Sequence, residues 1–114
     1  MPSNDMSESA AWAPGPLTNE LLEVLDRLIV LLQRDNHDYW VDWIQHARSE
    51  IGSGDARGIR TLLSAYGGMG SFADLSISSY PDQKMQREEF FQLRSRAREL
   101  ARLIRNQLDS EGTR

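Results

Sequence analysis

The chain has 114 residues, a net charge of −4 and no cysteine, which fits a single domain and excludes disulfides, thiolate metal sites and a cysteine nucleophile. Its apolar and charged fractions, 39% and 26%, are those of an ordinary folded protein. Residues 1–55 hold ten acidic and three basic residues, whereas residues 56–114 hold seven and ten. Such an acidic chain is not expected to bind nucleic acid, and the two halves either pair in the fold or form a two-faced surface.

Residues 1–16 predict a flexible tail, because they are polar apart from Trp12 and end in the stop Pro14-Gly15-Pro16. They lack the basic and apolar regions of a signal peptide. The longest apolar run, residues 28–32, is too short to cross a membrane. We therefore expect a cytoplasmic protein with no membrane partner.

Two amphipathic helices are predicted next, over residues 18–34 and 37–51, because apolar side chains recur in each at intervals of three and four. The first stripe comprises Leu21, Leu25, Leu28 and Leu32. The second comprises Trp40, Ile44, Ala47 and Ile51, with Tyr39 and Trp43 expected on different sides of it.

A short third helix is predicted over residues 56–65, with Asp55 as its cap, and a long last helix over residues 82–108. The last helix carries a heptad seam formed by Phe90, Leu93, Ala97, Leu100 and Ile104. We expect residues 17–108 to form one compact all-α domain of three to five helices, with the last helix packed on the first and residues 109–114 frayed. A homodimer through the last helix stays open.

A glycine-rich loop interrupts the helices between the third and the last. Its candidate ligand-binding residues are Gly67, Gly68, Gly70, Ser71 and Asp74. Successive backbone N–H groups could cradle an anion there; alternatively, the loop is a tight crossing in which Met69 and Phe72 fill the core and Asp74 caps neighbouring N–H groups. In either case we expect a positive φ for at least one of the three glycines.

The loop belongs to a longer motif. It reads Gly54-Asp55-x-x-Gly58-x-x-x-Leu62-Leu63-x-x-Tyr66-Gly67-Gly68-Met69-Gly70-Ser71-Phe72-x-Asp74-Leu75. This motif resembles a family of small, mostly bacterial proteins that is a domain of unknown function, and the similarity covers about residues 20–80. The chain departs from the family pattern at Ala73, where the resemblance implies asparagine. The resemblance brings no activity, cofactor or partner with it.

Polar side chains elsewhere do not assemble recognisable chemistry. Asp38, Asp42 and His46 share one face of the second helix, but a straight row whose ends lie about 12 Å apart cannot converge on one metal ion. We predict no catalytic residue, no metal and no cofactor. A basic stripe on the last helix either meets phosphates or an acidic partner, or is a solvated flank that pairs with acids of the first two helices. It comprises Arg94, Arg98, Arg102 and Arg105.

The pattern favours a non-catalytic protein-binding module, for example an immunity-type antitoxin that occludes a basic partner. The predicted contact surface is an aromatic anchor inside an acidic rim. It comprises Asp35, Asp38, Tyr39, Asp42 and Trp43. The alternative is a small-molecule or nucleotide-binding protein, or an enzyme, that uses the loop from Gly67 to Asp74. Exposure of the two regions distinguishes these hypotheses.

Overall fold

The computed structural model of the chain describes residues 15–67, 70–75 and 84–112. These residues form four α-helices, one 3₁₀ turn and no β-strand. The helices are α1 (Pro16–Arg34), α2 (Asp38–Gly52), α3 (Arg57–Ser64) and α4 (Lys84–Gly112), and the 3₁₀ turn is Phe72–Asp74. The predicted all-α class is therefore confirmed. Residues 1–14 of the predicted tail lie outside the described residues.

The ends of the helices follow local chemistry. Gly15 precedes α1, and Pro16 occupies its first position, where a missing backbone N–H costs nothing. Asn36 takes a φ of 61° in the turn between α1 and α2, a conformation that asparagine tolerates better than most residues. The carboxylate of Asp55 accepts a hydrogen bond from the backbone N–H of Arg57 at 3.0 Å, so it caps α3 as the sequence predicts. The last helix continues to Gly112, beyond the predicted end at residue 108.

The four helices form a closed cycle of contacts in which α1 packs on α2 and α4, and α3 packs on α2 and α4. The leucine stripe of α1 lies at the centre of this arrangement. Leu21, Leu25, Leu28 and Leu32 are all fully buried. The heptad seam of α4 joins the same core, with Phe90, Ala97, Leu100 and Ile104 buried and Leu93 half-buried. The predicted packing of the last helix on the first is confirmed.

Ion pairs join α1 to α4 beside this seam. The guanidinium of Arg96 donates to both carboxylate oxygens of Glu20 at 2.7 and 2.9 Å. Arg27 binds Glu89 in the same two-pronged manner at 2.7 and 3.0 Å. These bonds lower the pKa of each carboxyl group from its usual value. The acidic and basic halves of the chain therefore meet in part across this contact.

Helices α2 and α3 approach each other closely at Gly58. A Cβ atom added to Gly58 would lie 2.7 Å from Ile51 Cγ1 and 2.8 Å from the backbone nitrogen of Ile51. No side chain fits at that distance without movement of the backbone. The glycine therefore fixes how α3 lies on the end of α2, and this contact sets the position of Thr61 beside α2.

Candidate functional site: the aromatic surface of α2

The predicted contact surface lies on one face of α2. Tyr39, Asp42, Trp43 and His46 stand at intervals of three, one and three, so a helix places them together. The ring centroids of Tyr39 and Trp43 are 5.9 Å apart. The prediction that these two rings lie on different sides is wrong, because residues four apart share a helix face. With Asp38, one turn before Asp42, these residues are called the α2 surface below.

A shallow concavity of about 460 Å³ lies in the α2 surface. It is lined by Tyr39, Asp42, Trp43 and His46 from α2 and by Thr61 from α3. The side chain of Tyr39 is 64% exposed, although its ring also contacts Trp40 edge-on at 4.9 Å. Thr61 lies on another helix, and its part in the concavity could not be predicted from the spacing within α2.

Hydrogen bonds to and from Thr61 hold the ring of Trp43 in place. Its indole Nε1–H donates to the carbonyl oxygen of Thr61 at 2.8 Å, and the Thr61 hydroxyl donates to Glu50 Oε1 at 3.0 Å. The other carboxylate oxygen of Glu50 lies 3.5 Å from Nε2 of His46. This chain of polar contacts returns to the α2 surface, so the concavity has an ordered wall.

The three aspartates predicted for the acidic rim differ in exposure. Asp38 and Asp42 are exposed, and neither forms an ion pair with another residue in the described part of the chain. Asp35 is only 6% exposed, and its Oδ2 lies 2.5 Å from Nε2 of His37. The assignment of Asp35 to a contact rim is therefore wrong. Its carboxylate is used within the turn that joins α1 to α2.

The glycine-rich loop has a different character. Gly70 has a φ of 76°, which confirms the predicted positive φ, whereas Gly67 does not have a positive φ. Gly68 lies outside the described residues. The hydroxyl oxygen of Ser71 accepts a hydrogen bond from the N–H of Ala73 at 3.2 Å, and Asp74 Oδ2 accepts one from the N–H of Gly70 at 2.9 Å. The two side chains thus cap the start of the 3₁₀ turn in a manner similar to a capping box, although the second donor is the N–H of Gly70 and not that of the cap residue Ser71.

Further backbone N–H groups of the loop are also bonded within the chain. The N–H of Phe72 donates to the carbonyl oxygen of Ala65 at 2.9 Å. Those of Asp74 and Leu75 donate to the carbonyl oxygens of Ser71 and Phe72. Five N–H groups that an anion cradle could use, those of Gly70 and of residues 72–75, are thus already bonded. The Asp74 carboxylate occupies the position that an anion would need at Gly70.

The loop inserts Phe72 into the core. Phe72 is fully buried, and its ring lies between those of Trp40, Tyr66 and Phe90 at centroid distances of 5.3, 5.5 and 5.9 Å. This matches the hypothesis of a tight crossing in which a loop side chain fills the core. Met69, the second side chain of that hypothesis, lies outside the described residues.

Arg94 ties the same loop to α4. Its Nη1 donates to the carbonyl oxygens of Phe72, at 3.1 Å, and of Leu75. Its guanidinium also lies 5.2 Å from the ring centroid of Phe90. Burial lowers the pKa of Arg94, although a guanidinium keeps its charge in proteins. Arg94 therefore fits neither sequence hypothesis for the basic stripe, since its partners are carbonyl groups and rings.

The remaining arginines of the stripe differ among themselves. The guanidinium of Arg98 lies 5.5 Å from the ring centroid of Tyr66, whose hydroxyl donates to the carbonyl oxygen of Arg94 at 2.7 Å. Burial raises the pKa of Tyr66, so it remains a neutral donor. Arg102 and Arg105 are exposed. Two arginines of the stripe, Arg94 and Arg98, therefore contact other parts of the protein, and the other two, Arg102 and Arg105, face solvent.

Two wider observations apply to the described residues only. They contain no group of three or more His, Asp or Glu side chains that could hold a metal ion. None of their helices combines the length and the apolar character needed to cross a lipid bilayer.

Residues 33–86 match the model of a domain of unknown function, DUF6966. The matched segment includes α2, α3 and the glycine-rich loop, and it therefore contains both candidate regions. The match is consistent with the resemblance to a domain of unknown function stated from the motif, and it names no activity. No curated protein and no solved structure matches the chain at a significant level.

Proposed function

We propose that this protein is a non-catalytic binding module that contacts a basic protein partner through the α2 surface. An immunity-type antitoxin, which occludes a basic partner, is one concrete form of such a module. The observation that carries the proposal is the exposed Tyr39 ring beside a concavity whose nearby carboxylates, Asp38 and Asp42, have no ion-pair partner among the described residues.

Interface energetics support this assignment. The residues that contribute most to binding are enriched in Tyr, Trp and Arg and lie inside a rim that excludes water. Tyr39 and Trp43 would supply such anchors, and Trp43 is already held by its bond to Thr61. Exposed carboxylates around the anchors would accelerate encounter with a positively charged partner and disfavour acidic ones.

The glycine-rich loop is the weaker candidate for a binding site. The N–H groups of Gly70 and of residues 72–75 are bonded to Asp74, Ser71 and neighbouring carbonyl oxygens. Binding an anion there would require those bonds to break and the Asp74 carboxylate to leave. A ligand would therefore have to compensate for lost hydrogen bonds of about 1 kcal/mol each before any affinity appeared.

The proposal is tested by capture with matched variants of the full chain. Tagged wild-type protein, a Tyr39→Ala/Asp42→Asn double variant and a Phe91→Ala control are incubated with lysate of the native host, and retained proteins are identified by mass spectrometry. Phe91 is a suitable control because its ring is 60% exposed, close to the 64% of Tyr39, but lies on α4. Each retained protein is then purified and titrated against all three chains by calorimetry.

We expect at least one protein with a basic surface that binds the wild type and the Phe91→Ala control equally and binds the double variant at least about tenfold more weakly. Equal binding to all three chains would contradict the proposal, as would a partner lost only with Phe91→Ala. Circular dichroism of each variant verifies that a loss of binding is not a loss of folding.

A further inference from the structure

We infer that the α2 surface recognises an arginine side chain of its partner, and that this side chain occupies the concavity lined by Tyr39, Asp42 and Trp43. The inference rests on the proposed function and adds the chemistry of the group that is bound. It is carried by the combination of aromatic walls, an exposed carboxylate and an open concavity large enough to admit a long side chain.

The walls of the concavity suit a cation. The faces of Tyr and Trp rings carry negative charge density and attract a cation placed within about 6 Å of the ring centroid. Asp42, which is exposed, lies in the same lining and adds a full negative charge. Asp38 stands one helical turn away on the same face. An anionic ligand would meet repulsion from both carboxylates.

The rings and the carboxylate of the concavity also favour a particular shape of bound cation. A guanidinium is planar, stacks on aromatic rings and binds a carboxylate through two parallel N–H donors, whereas the lysine ammonium is compact and strongly hydrated. A site that offers rings and a carboxylate together therefore favours arginine over lysine.

The described part of the molecule already contains contacts between guanidinium groups and aromatic rings. The Arg94 guanidinium lies 5.2 and 5.7 Å from the ring centroids of Phe90 and Phe91, and that of Arg98 lies 5.5 Å from Tyr66. On the α2 surface, no arginine is placed over the rings of Tyr39 or Trp43 by the described residues. The rings there are left for an arginine from another chain.

The site is partly organised before binding. The hydrogen bond from Trp43 to Thr61, and the bond from Thr61 to Glu50, hold the indole ring in place. His46 is engaged with Glu50 rather than with Asp42. A ring that is already ordered loses less freedom on binding, so more of the interaction appears as affinity.

The test uses defined probes and NMR spectroscopy of the full chain labelled with ¹⁵N. The probes are Nα-acetyl-arginine amide, Nα-acetyl-lysine amide and Nα-acetyl-citrulline amide, the last being the neutral isostere of the first. We expect the arginine probe to shift the amide signals of residues 38–46 and the indole N–H of Trp43. The citrulline probe should bind at least about tenfold more weakly, because it lacks the charge, and lysine should lie between them.

Matched variants locate the effect. Tyr39→Ala and Asp42→Asn should each weaken binding of the arginine probe several-fold. Phe91→Ala and Glu23→Gln should leave it unchanged, because they remove an exposed ring and an exposed carboxylate elsewhere on the surface. Equal shifts with citrulline would overturn the inference, as would shifts spread over all acidic residues, or contacts from residues 1–14 that already cover Tyr39 in solution.

The outcome is separable from that of the proposed function. A partner whose binding depends on Tyr39 and Asp42 but tolerates replacement of every interfacial arginine by citrulline would sustain the proposed function and overturn the arginine inference. Specific binding of the arginine probe, without any protein that depends on the α2 surface, would overturn the proposed function and sustain the recognition of a guanidinium at this surface.

Discussion

The glycine-rich loop and the α2 surface differ in how their polar groups are used. In the loop, Ser71 and Asp74 accept hydrogen bonds from backbone N–H groups, and Arg94 donates to its carbonyl oxygens. On the α2 surface, Asp38 and Asp42 lack ion-pair partners in the described part of the chain. Side chains and backbone groups of the conspicuous motif thus bond within the chain, whereas an ordinary helical segment leaves two exposed carboxylates without an ion-pair partner among the described residues.

The largest expected effect concerns the loop's contribution to the core. Replacing Phe72 by alanine removes a fully buried ring from between three others, and we expect the free energy of unfolding to fall by about 3–5 kcal/mol. Urea denaturation measures this change. The control is Phe91→Ala, whose exposed ring should contribute no more than about 1 kcal/mol through its contact with the Arg94 guanidinium. Similar losses in the free energy of unfolding for both variants would mean that burial of the Phe72 ring does not anchor the loop to the core.

The second-largest loss of stability is expected at Arg94. Arg94→Gln removes the donor shared by the carbonyl oxygens of Phe72 and Leu75, and it should lower the free energy of unfolding by about 1–3 kcal/mol. Arg105→Gln, on the exposed side of the same helix, should change it little. Hydrogen exchange provides a second measurement, since the N–H of Phe72 should lose protection in the Arg94 variant. A stable Arg94→Gln protein would show that the loop is held by Phe72 alone.

A smaller effect is expected at Gly70. Its φ of 76° strains any residue with a Cβ atom, although the space around it is open, so Gly70→Ala should destabilise the fold by about 1 kcal/mol. Gly67→Ala should be nearly neutral, because its Cβ would lie 3.6 Å from the carbonyl oxygen of Ser64 and its φ is not positive. Gly70→Asn should retain more stability than Gly70→Ala. Equal melting temperatures for all three variants would indicate that the loop geometry carries no strain.

The smallest effect is a dependence on pH. The hydrogen bonds from Arg27 lower the pKa of Glu89 below its ordinary value of 4.5. Stabilisation from this carboxylate is therefore complete above that pH and is lost as the pH falls through the lower pKa of the folded state. Wild-type protein should lose stability below pH 4.5 more steeply than Glu89→Gln, in thermal melts between pH 6 and pH 3. Parallel curves would exclude a contribution from this ion pair.

The sequence alone predicted the helices well, because the intervals of three and four in α1 and α4 report directly on which face is buried. It also predicted the capping role of Asp55 and the positive φ in the loop. These are local properties, and local spacing is sufficient to identify them. The lengths of the connecting segments did not reveal that α3 would place Thr61 beside α2.

One error, the relative placement of Tyr39 and Trp43, misjudged positions four apart on a helix. The others concern contacts that helical spacing does not report. Asp35 was grouped with Asp38 and Asp42 because the three are close in sequence, yet a turn at Asn36 buries the Asp35 carboxylate against His37. Arg94 was grouped with a basic stripe by its spacing, although its guanidinium reaches a loop some twenty positions earlier. Sequence spacing identifies a helix face but not what the fold places against it.

The most direct measurement compares both regions in one experiment. The partner identified by capture is titrated calorimetrically, well below the melting temperature, against wild type, Tyr39→Ala/Asp42→Asn and Gly70→Ala. We predict that the double variant keeps its melting temperature and loses at least about tenfold in affinity, whereas Gly70→Ala melts earlier and binds as tightly as wild type. Loss of affinity with Gly70→Ala but not with the double variant would contradict the account and assign binding to the glycine-rich loop.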